Sequence, residues 1–233
     1  MLCDDILNTK DYNFLKREMS LDIFEANYNQ KPIDIKGRLY SEFKEWEKKP
    51  EGEVKNYTDT ADTGSDFLCS VSYVVFENEA YITDLVFTDE PMEVTEGKTA
   101  DLFHRSNVAQ AFIESNNGGR GFARNVGRIL NDEYNSNRTI ITPRPQSKNK
   151  ESRILTSSAW VQNHVYMPPN WKTRWPEFYK QVMEYQRKSK NAHDDAVDVL
   201  AAIFENITAQ PEPEVITTDE IDDGYYRRPF EMY

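Results

Sequence analysis

The sequence predicts an α/β protein: a mixed five-stranded sheet, its first three strands antiparallel, with helices on both faces. Three observations predict it. Residues 54–87 hold three runs rich in β-branched and aromatic residues, separated by tight turns. From residue 98 onward helical and strand patterns alternate, the order in which strands join a sheet through helical crossovers. The chain has 233 residues, of which 38% are hydrophobic and 12% aromatic, enough to fill the core of one large domain.

Taken in order, residues 1–50 read as an arm, with a helix over Asp11–Ile23 anchored by Phe14, Met19 and Phe24 and a charged linker from Lys44 to Val54. A globular domain follows over 51–208. Val54–Thr60 is its first strand, Ala61–Asp66 a glycine-containing turn, Phe67–Phe76 the second strand, and Ala80–Phe87 the third, reached through a tight turn at Asn78. A polar loop over 88–97 leads to a helix over Lys98–Asn107. Ala109–Glu114 is the fourth strand, Arg120–Asn131 a helix, Thr139–Thr142 the fifth strand and Lys150–Gln162 a helix. Val165–Met167 is short and extended, and Trp175–Lys188 is helical. A last helix begins at Asn191 or Asp194, with Val197, Leu200, Ala201 and Phe204 on one apolar face. Residues 209–233 form an acidic, flexible tail.

The formal charge of −12 excludes a generic basic nucleic-acid binder, yet the charge is unevenly placed. Residues 1–58 carry −2, 59–115 carry −10, 116–174 carry +7 and 175–233 carry −7. A basic segment between two acidic ones suits a DNA-contacting surface beside a metal-filled acidic pocket. Two cysteines, Cys3 and Cys69, are too few for a disulfide framework or a zinc site and fit a reducing cytoplasm. There is no signal peptide and no apolar run of membrane-spanning length, so no membrane partner is expected.

Three acidic positions stand out. Asp59 ends the first strand, with Asp62 and Asp66 on the turn beyond it. Glu114 ends the fourth strand. Asp194, Asp195 and Asp198 crowd the first turn of the last helix. Turn chemistry and helix capping account for some of these residues, but aspartates this close repel one another and call for a cation. If the first and fourth strands are parallel neighbours, Asp59 and Glu114 emerge at one edge. The acidic helix can then pack across that edge and complete an oxygen-rich site for hard divalent ions. Arg120, Arg124 and Arg128 recur at i, i+4 and i+8 on one helical face, and with Arg138, Arg144, Lys148, Lys150 and Arg153 they offer contacts to phosphates. Gly118, Gly119 and Gly121 either let a backbone approach closely or form a turn.

The stretches Tyr57-Thr-Asp-Thr-Ala-Asp-Thr-Gly-Ser-Asp66, Ile113-Glu-Ser-Asn-Asn-Gly-Gly-Arg-Gly121 and His193-Asp-Asp-Ala-Val-Asp198, in this order and spacing, resemble the nuclease domain of the large terminase subunit of tailed bacteriophages. The Phe24-Glu-Ala-Asn-Tyr-Asn-Gln-Lys-Pro32 segment looks like the stretch that precedes the nuclease in these proteins, so the likeness runs from about residue 20 to 207. It implies a ribonuclease H-like fold, shared with Holliday-junction resolvases and integrases, and an endonuclease that cuts concatemeric double-stranded DNA with two Mg2+ or Mn2+ ions. Asp59 and Glu114 then match the two strand-end ligands, and Asp195 or Asp194 the helix ligand. Asp195 is preferred as the catalytic one, with Asp198 auxiliary and Asp62, Asp66 and His193 as outer groups. Arg120, Arg124, Arg128, Arg144, Lys148 and Lys150 would contact DNA. Implied partners are a terminase ATPase domain, a small terminase subunit and a portal, in the host cytoplasm. The chain lacks a G-x-x-x-x-G-K-[ST] loop. Gly97-Lys-Thr99 imitates its end, but Met92 stands where the first glycine belongs. No ATPase activity is therefore expected, and residues 1–50 read as the linker to a missing motor, in an excised domain or the product of a split gene. The rivals are a resolvase- or integrase-like nuclease of the same fold and a non-catalytic docking module for portal or small terminase.

Overall fold

Three β-rich runs pair as the sequence suggests. The computed structural model describes residues 37–61, 66–116, 118–188 and 191–208. In it β2 (Val54–Asp59), β3 (Leu68–Phe76) and β4 (Glu79–Thr88) form an antiparallel meander. Glu77 and Asn78 both take positive φ in the β3–β4 turn, the conformation that matches the twist of a tight hairpin. β5 (Gln110–Glu114) adds parallel to β2, with Thr58 opposite Ile113, and β6 (Ile140–Arg144) adds parallel to β5.

The sheet has seven strands, not five, in the order β1-β7-β4-β3-β2-β5-β6. The two additions are β1 (Lys44–Glu45) and β7 (Val165–Met167), which pair parallel to each other, with β7 also parallel to β4. They are too short to carry a periodic pattern. What fixes them is burial of their neighbours: Leu39, Tyr40 and Phe43 sit in the core, and Phe43 meets Trp171 edge to face. Part of the stretch read as an arm and linker is therefore packed against the sheet. The helix expected over Asp11–Ile23 and the tail over 209–233 lie outside the described residues.

Helices cover both faces. On one lie α1 (Met92–Arg105) and α2 (Gly119–Tyr134), over Val54, Leu68, Ala111 and Ile113. On the other lie α3 (Lys150–His164), α4 (Trp171–Arg174), α5 (Pro176–Glu184) and α6 (Asp195–Thr208), over Tyr57, Val71, Tyr73 and Ile82. Helix α1 begins six residues earlier than its sequence pattern indicates, because Pro91 stands at its N-cap and Thr95 is buried. The helix predicted over 175–188 is instead α4 and α5. Pro176 starts α5 at its first position, and the chain leaves helix at Tyr185, whose carbonyl accepts from Leu39 N at 2.9 Å. Helix α2 buries Phe122, Ala123, Val126 and Leu130 at three-to-four-residue steps and leaves Arg120, Arg124 and Arg128 exposed. Asn149 caps α3 by accepting from Ser152 N at 3.0 Å. Among the described residues, no helix is long and apolar enough to cross a membrane.

Candidate metal centre

Strand alternation decides where the acidic side chains go. Tyr57 and Asp59 share one face of β2, and Phe112 and Glu114 share the same face of β5, the face that α3 and α6 cover. Because β2 and β5 are parallel neighbours, Asp59 and Glu114 leave the sheet side by side. Helix α6 crosses that edge with its first turn. Asp198 N donates to Asp194 O at 2.8 Å to close that turn, and Ala196 N donates to the Gln181 side chain at 2.7 Å, which ties the turn to α5.

Asp59, Glu114, Asp195 and Asp198 are all buried, with exposures of 9%, 6%, 5% and 0%. Carboxylate oxygens of Asp59, Glu114 and Asp198 lie within 4.8 Å of one another. Oxygens bound to one magnesium-sized ion stand about 3–4.2 Å apart, a little less than this separation. Asp195 lines the cleft in front of them with Thr60, Asp66, Phe67, Asn116 and Lys150, and its Oδ2 accepts from Phe67 N at 3.3 Å.

Two cations hold the cluster together. The Lys150 ammonium lies 3.5 Å from Asp59, 3.4 Å from Asp194, 3.8 Å from Asp195 and 3.6 Å from Asp198. Arg153, only 4% exposed, donates from Nε to Asp198 Oδ1 at 2.9 Å, and its Nη2 pairs with Asp198 Oδ2 and lies 3.5 Å from Glu114 Oε1. The same Glu114 oxygen accepts from the Tyr57 hydroxyl at 2.7 Å. Burial first, then Glu114, push the Tyr57 hydroxyl well above the usual phenol range, so it remains a donor. Among the described residues five carboxylates face two cations, and burial adds to the cost of their charge. Desolvation, then the charge of Glu114, raises Asp59 well above the ordinary carboxylate value, with Lys150 opposing. Desolvation likewise raises Asp195 and Asp198, against Lys150 and Arg153 respectively. Desolvation pulls Lys150 the other way, but Asp59, Asp198, Asp194 and Asp195 outweigh it and keep the ammonium charged.

Of the groups singled out in the sequence, Asp59, Glu114, Asp195 and Asp198 converge, and Asp194 reaches the cluster through Lys150. Asp66 is exposed at the rim, Asp62 lies outside the described residues, and the His193 ring packs edge-on against Phe67. The basic residues divide. Arg120, Arg124 and Arg128 face solvent, with Arg128 3.7 Å from Asp132. Arg144 binds Asn206 and stacks over the Phe112 ring at 3.9 Å, while Lys148 pairs with Glu205 at 2.7 Å, so both tie the β6–α3 loop to α6. Lys150 and Arg153 turn inward to the carboxylates. Arg153 has a legible signal: Arg153, Ser157 and Val161, at i, i+4 and i+8, form the buried face of α3. Tyr57 was legible too, two residues before Asp59 and hence on its face of the strand.

The β5–α2 turn passes unusually close to the centre. Gly118 takes φ 89°, and a Cβ on Gly119 would lie 1.8 Å from the Glu114 carbonyl oxygen and 3.3 Å from Thr60 Oγ1. Backbone cannot yield as a flexible side chain can. Gly119→Ala is expected to cost about 1–3 kcal/mol and to displace Glu114. Chemical denaturation and Mn2+ titration of the variant should show both losses, and a wild-type denaturation midpoint would contradict the close approach.

A mixed sheet with carboxylates from two parallel strand ends and a crossing helix defines a ribonuclease H-like domain with an acidic, metal-suited centre. The chain belongs to the terminase RNaseH-like domain family, whose model matches residues 57–206. Among solved structures it is similar to a mutant gp2c of the large terminase subunit from bacteriophage Sf6, with calcium (12% identity over 67% of this chain and 89% of that one, TM-score 0.48). It is also similar to the bacteriophage SPP1 large terminase nuclease domain with bound Mn (17%, 66% and 86%, 0.43). A third is the human cytomegalovirus terminase nuclease domain (12%, 65% and 82%, 0.48). No curated protein matches the chain.

Proposed function

We propose that this chain is the metal-dependent endonuclease domain of a viral genome-packaging terminase, cutting concatemeric double-stranded DNA in the host cytoplasm. The observation that carries the reading is the buried convergence of Asp59, Glu114 and the first turn of α6 in a member of the terminase RNaseH-like family. The donor set fits hard divalent ions: all-oxygen ligands, an excess of carboxylates over cations, and carboxyls whose pKa values are raised chiefly by burial. Asp59, Glu114 and Asp195 or Asp198 would hold two Mg2+ or Mn2+ ions, with Asp194 at the rim. Bound there, such ions make water a nucleophile at neutral pH and stabilise charge on the leaving oxygen of a phosphodiester.

The protein's own groups have separate tasks. Arg153 and Tyr57 both hold Glu114 through its Oε1, and Glu114 lines the cleft. Phe67 N orients Asp195. Lys150 holds the carboxylates together, and its ammonium at the mouth of the cluster would offer a positive charge to the scissile phosphate. Arg120 and Arg124, exposed on the helix that starts five residues after Glu114, lead the backbone of the duplex to the cleft. The ATPase domain, small terminase subunit and portal are the partners this role requires.

Incubation with supercoiled plasmid in Mn2+, Mg2+ or EDTA tests the reading: nicking and linearisation should need metal. A folded protein that binds no Mn2+ by calorimetry and cuts nothing would refute it. For the DNA track, Arg120→Ala with Arg124→Ala should weaken duplex binding in EDTA and lower the slope of log K against log salt by about 2, near one per lost phosphate contact. An unchanged slope would move the DNA elsewhere.

A further inference from the structure

The carboxylates line a narrow cleft of about 130 Å³. Sites that enclose a whole small molecule run to about 300 Å³ or more, so this cleft takes in a phosphate and leaves the attached nucleoside at the rim. The lining is not uniform. Among the described residues that form it, all are polar or charged except Ala61 and Phe67, and Phe67 is the one aromatic.

Core packing alone does not account for Phe67. It stands immediately before β3, where Leu68, Cys69, Val71, Tyr73 and Val74 are at most 1% exposed, yet Phe67 itself is only half-buried. Its ring is held all the same. It stacks on Phe87 with centroids 4.6 Å apart and planes 8° from parallel, and it meets the His193 ring at 5.4 Å in an edge contact. Phe87 in turn meets Phe178, which is fully buried, at 5.6 Å. The ring ends an aromatic column rooted in the core, so a ligand that lies against it need not first immobilise it. Its place relative to the acidic groups is fixed as well, because Phe67 N donates to Asp195 Oδ2 at 3.3 Å. One residue thus holds a carboxylate with its backbone and offers an apolar ring with its side chain, on the same cleft. Within a duplex the faces of a base are covered by its neighbours. An aromatic side chain therefore gains most from a base that has left the stack.

On the reading of the site as a DNA-cutting centre, on which this rests, we infer that Phe67 is a substrate-contacting residue. It stacks against a nucleobase next to the scissile phosphate, so the strand being cut is unstacked at that nucleotide. Stacking of this kind is tolerant of base identity, and the contact positions the strand without selecting a sequence.

The test compares two labelled single-stranded oligonucleotides of equal length and charge, one with bases and one abasic throughout. Their binding to the whole chain is followed by fluorescence anisotropy, with Ca2+ in place of Mn2+. Native protein should bind the base-bearing strand at least about fivefold more tightly, the low end of one aromatic–base stack. Phe67→Leu keeps an apolar side chain and removes the flat face. It should bind both strands alike and raise KM for plasmid far more than it lowers kcat, while Phe67→Tyr should behave as native. Mn2+ affinity by calorimetry and the melting temperature should be native in both variants. A fall in Mn2+ affinity parallel to the fall in DNA affinity would make Phe67 a support for Asp195 and overturn the contact. Should Phe67→Leu fail to fold, Phe67→Trp reads the contact directly: the base-bearing strand should quench its emission beyond the change in native protein, and the abasic strand should not. A base preference that survives in folded Phe67→Leu protein, or no added quenching in Phe67→Trp, overturns the proposal. Metal-dependent plasmid cutting by a native protein with no base preference refutes this inference alone, whereas a native protein that neither binds DNA nor cuts it refutes the DNA reading beneath it.

Discussion

Asp59→Asn should yield a protein that folds, gains stability without metal, and cuts plasmid DNA at least about 10²–10³-fold more slowly, the scale of losing one charged group from a preorganised site. The two effects have one cause. Asp59 is buried beside Glu114, Asp195 and Asp198, and its raised pKa means that the folded state holds its proton more tightly than the unfolded chain does. Between the unfolded value near 3.9 and the raised folded value, the folded state therefore binds more protons, so stability falls as pH rises through that window. Asp195 and Asp198 are shifted in the same direction and add to the fall. Asparagine keeps the shape and removes the charge, so the melting temperature in EDTA should rise at neutral pH and its decline from pH 4 upward should flatten. Mn2+ should stabilise the native protein by binding its folded form alone, and should do so much less for the variant. Thermal scans over pH 4–8, with and without Mn2+, together with plasmid nicking, measure all of this. A variant less stable than native at pH 7 in EDTA would show that Asp59 is a structural group, and unimpaired cleavage would remove it from the site.

Arg153→Ala should be the most damaging single change to stability, at about 3–5 kcal/mol, the cost of breaking a buried pair from one side. The guanidinium joins α3 to α6 through Asp198 and reaches Glu114 on β5. Its removal leaves Asp198, fully buried, without its bidentate partner. Arg153→Ala combined with Asp198→Asn should recover part of the loss, because the stranded charge goes too. Urea midpoints of the two single variants and the double variant give the coupling directly. Additive losses would mean that Arg153 acts by filling space. Lys keeps the charge but not the fork, so Arg153→Lys should rescue stability only in part.

The five central strands were legible as runs rich in β-branched and aromatic residues between turn signals, although β2 and β3 are buried on both faces rather than alternating. That β2 and β5 are parallel neighbours is a condition of the reading, which their pairing meets. Val165–Met167 reads as extended but is not joined to the sheet by its pattern, and β1 reads as part of a linker, since two and three residues carry no period. Their pairing follows from burial of Tyr40 and Phe43, which local pattern does not reveal. Asp59 and Glu114 were readable as strand-end carboxylates on one edge. The choice within Asp194, Asp195 and Asp198 was not readable, because it turns on two cations that sequence assigned to a DNA surface. Lys150 and Arg153 belong to a segment of net +7, and an average over a segment cannot distinguish a solvent-facing base from one turned into a carboxylate cluster. Spacing could have done so for Arg153, which shares a helical stripe with Ser157 and Val161. Arg120, Arg124 and Arg128, by contrast, lie opposite the apolar stripe of α2 and are exposed as their spacing indicates.

The metal centre draws on residues 59, 114 and 195–198, and α6 is the last helix among the described residues to leave the ribosome. Until it docks, α3 alone reaches the shared edge of β2 and β5, and neither Asp195 nor Asp198 is in the cluster. At about 5–20 residues per second, several seconds separate the appearance of Glu114 from that of α6. Docking of α6 also buries Val197, Leu200, Ala201 and Ile203 in the core, so one packing event seats the helix and brings the last carboxylates to the cluster. On the proposed reading, a chain broken off before residue 195 cannot assemble the acidic centre and is harmless to the DNA around it.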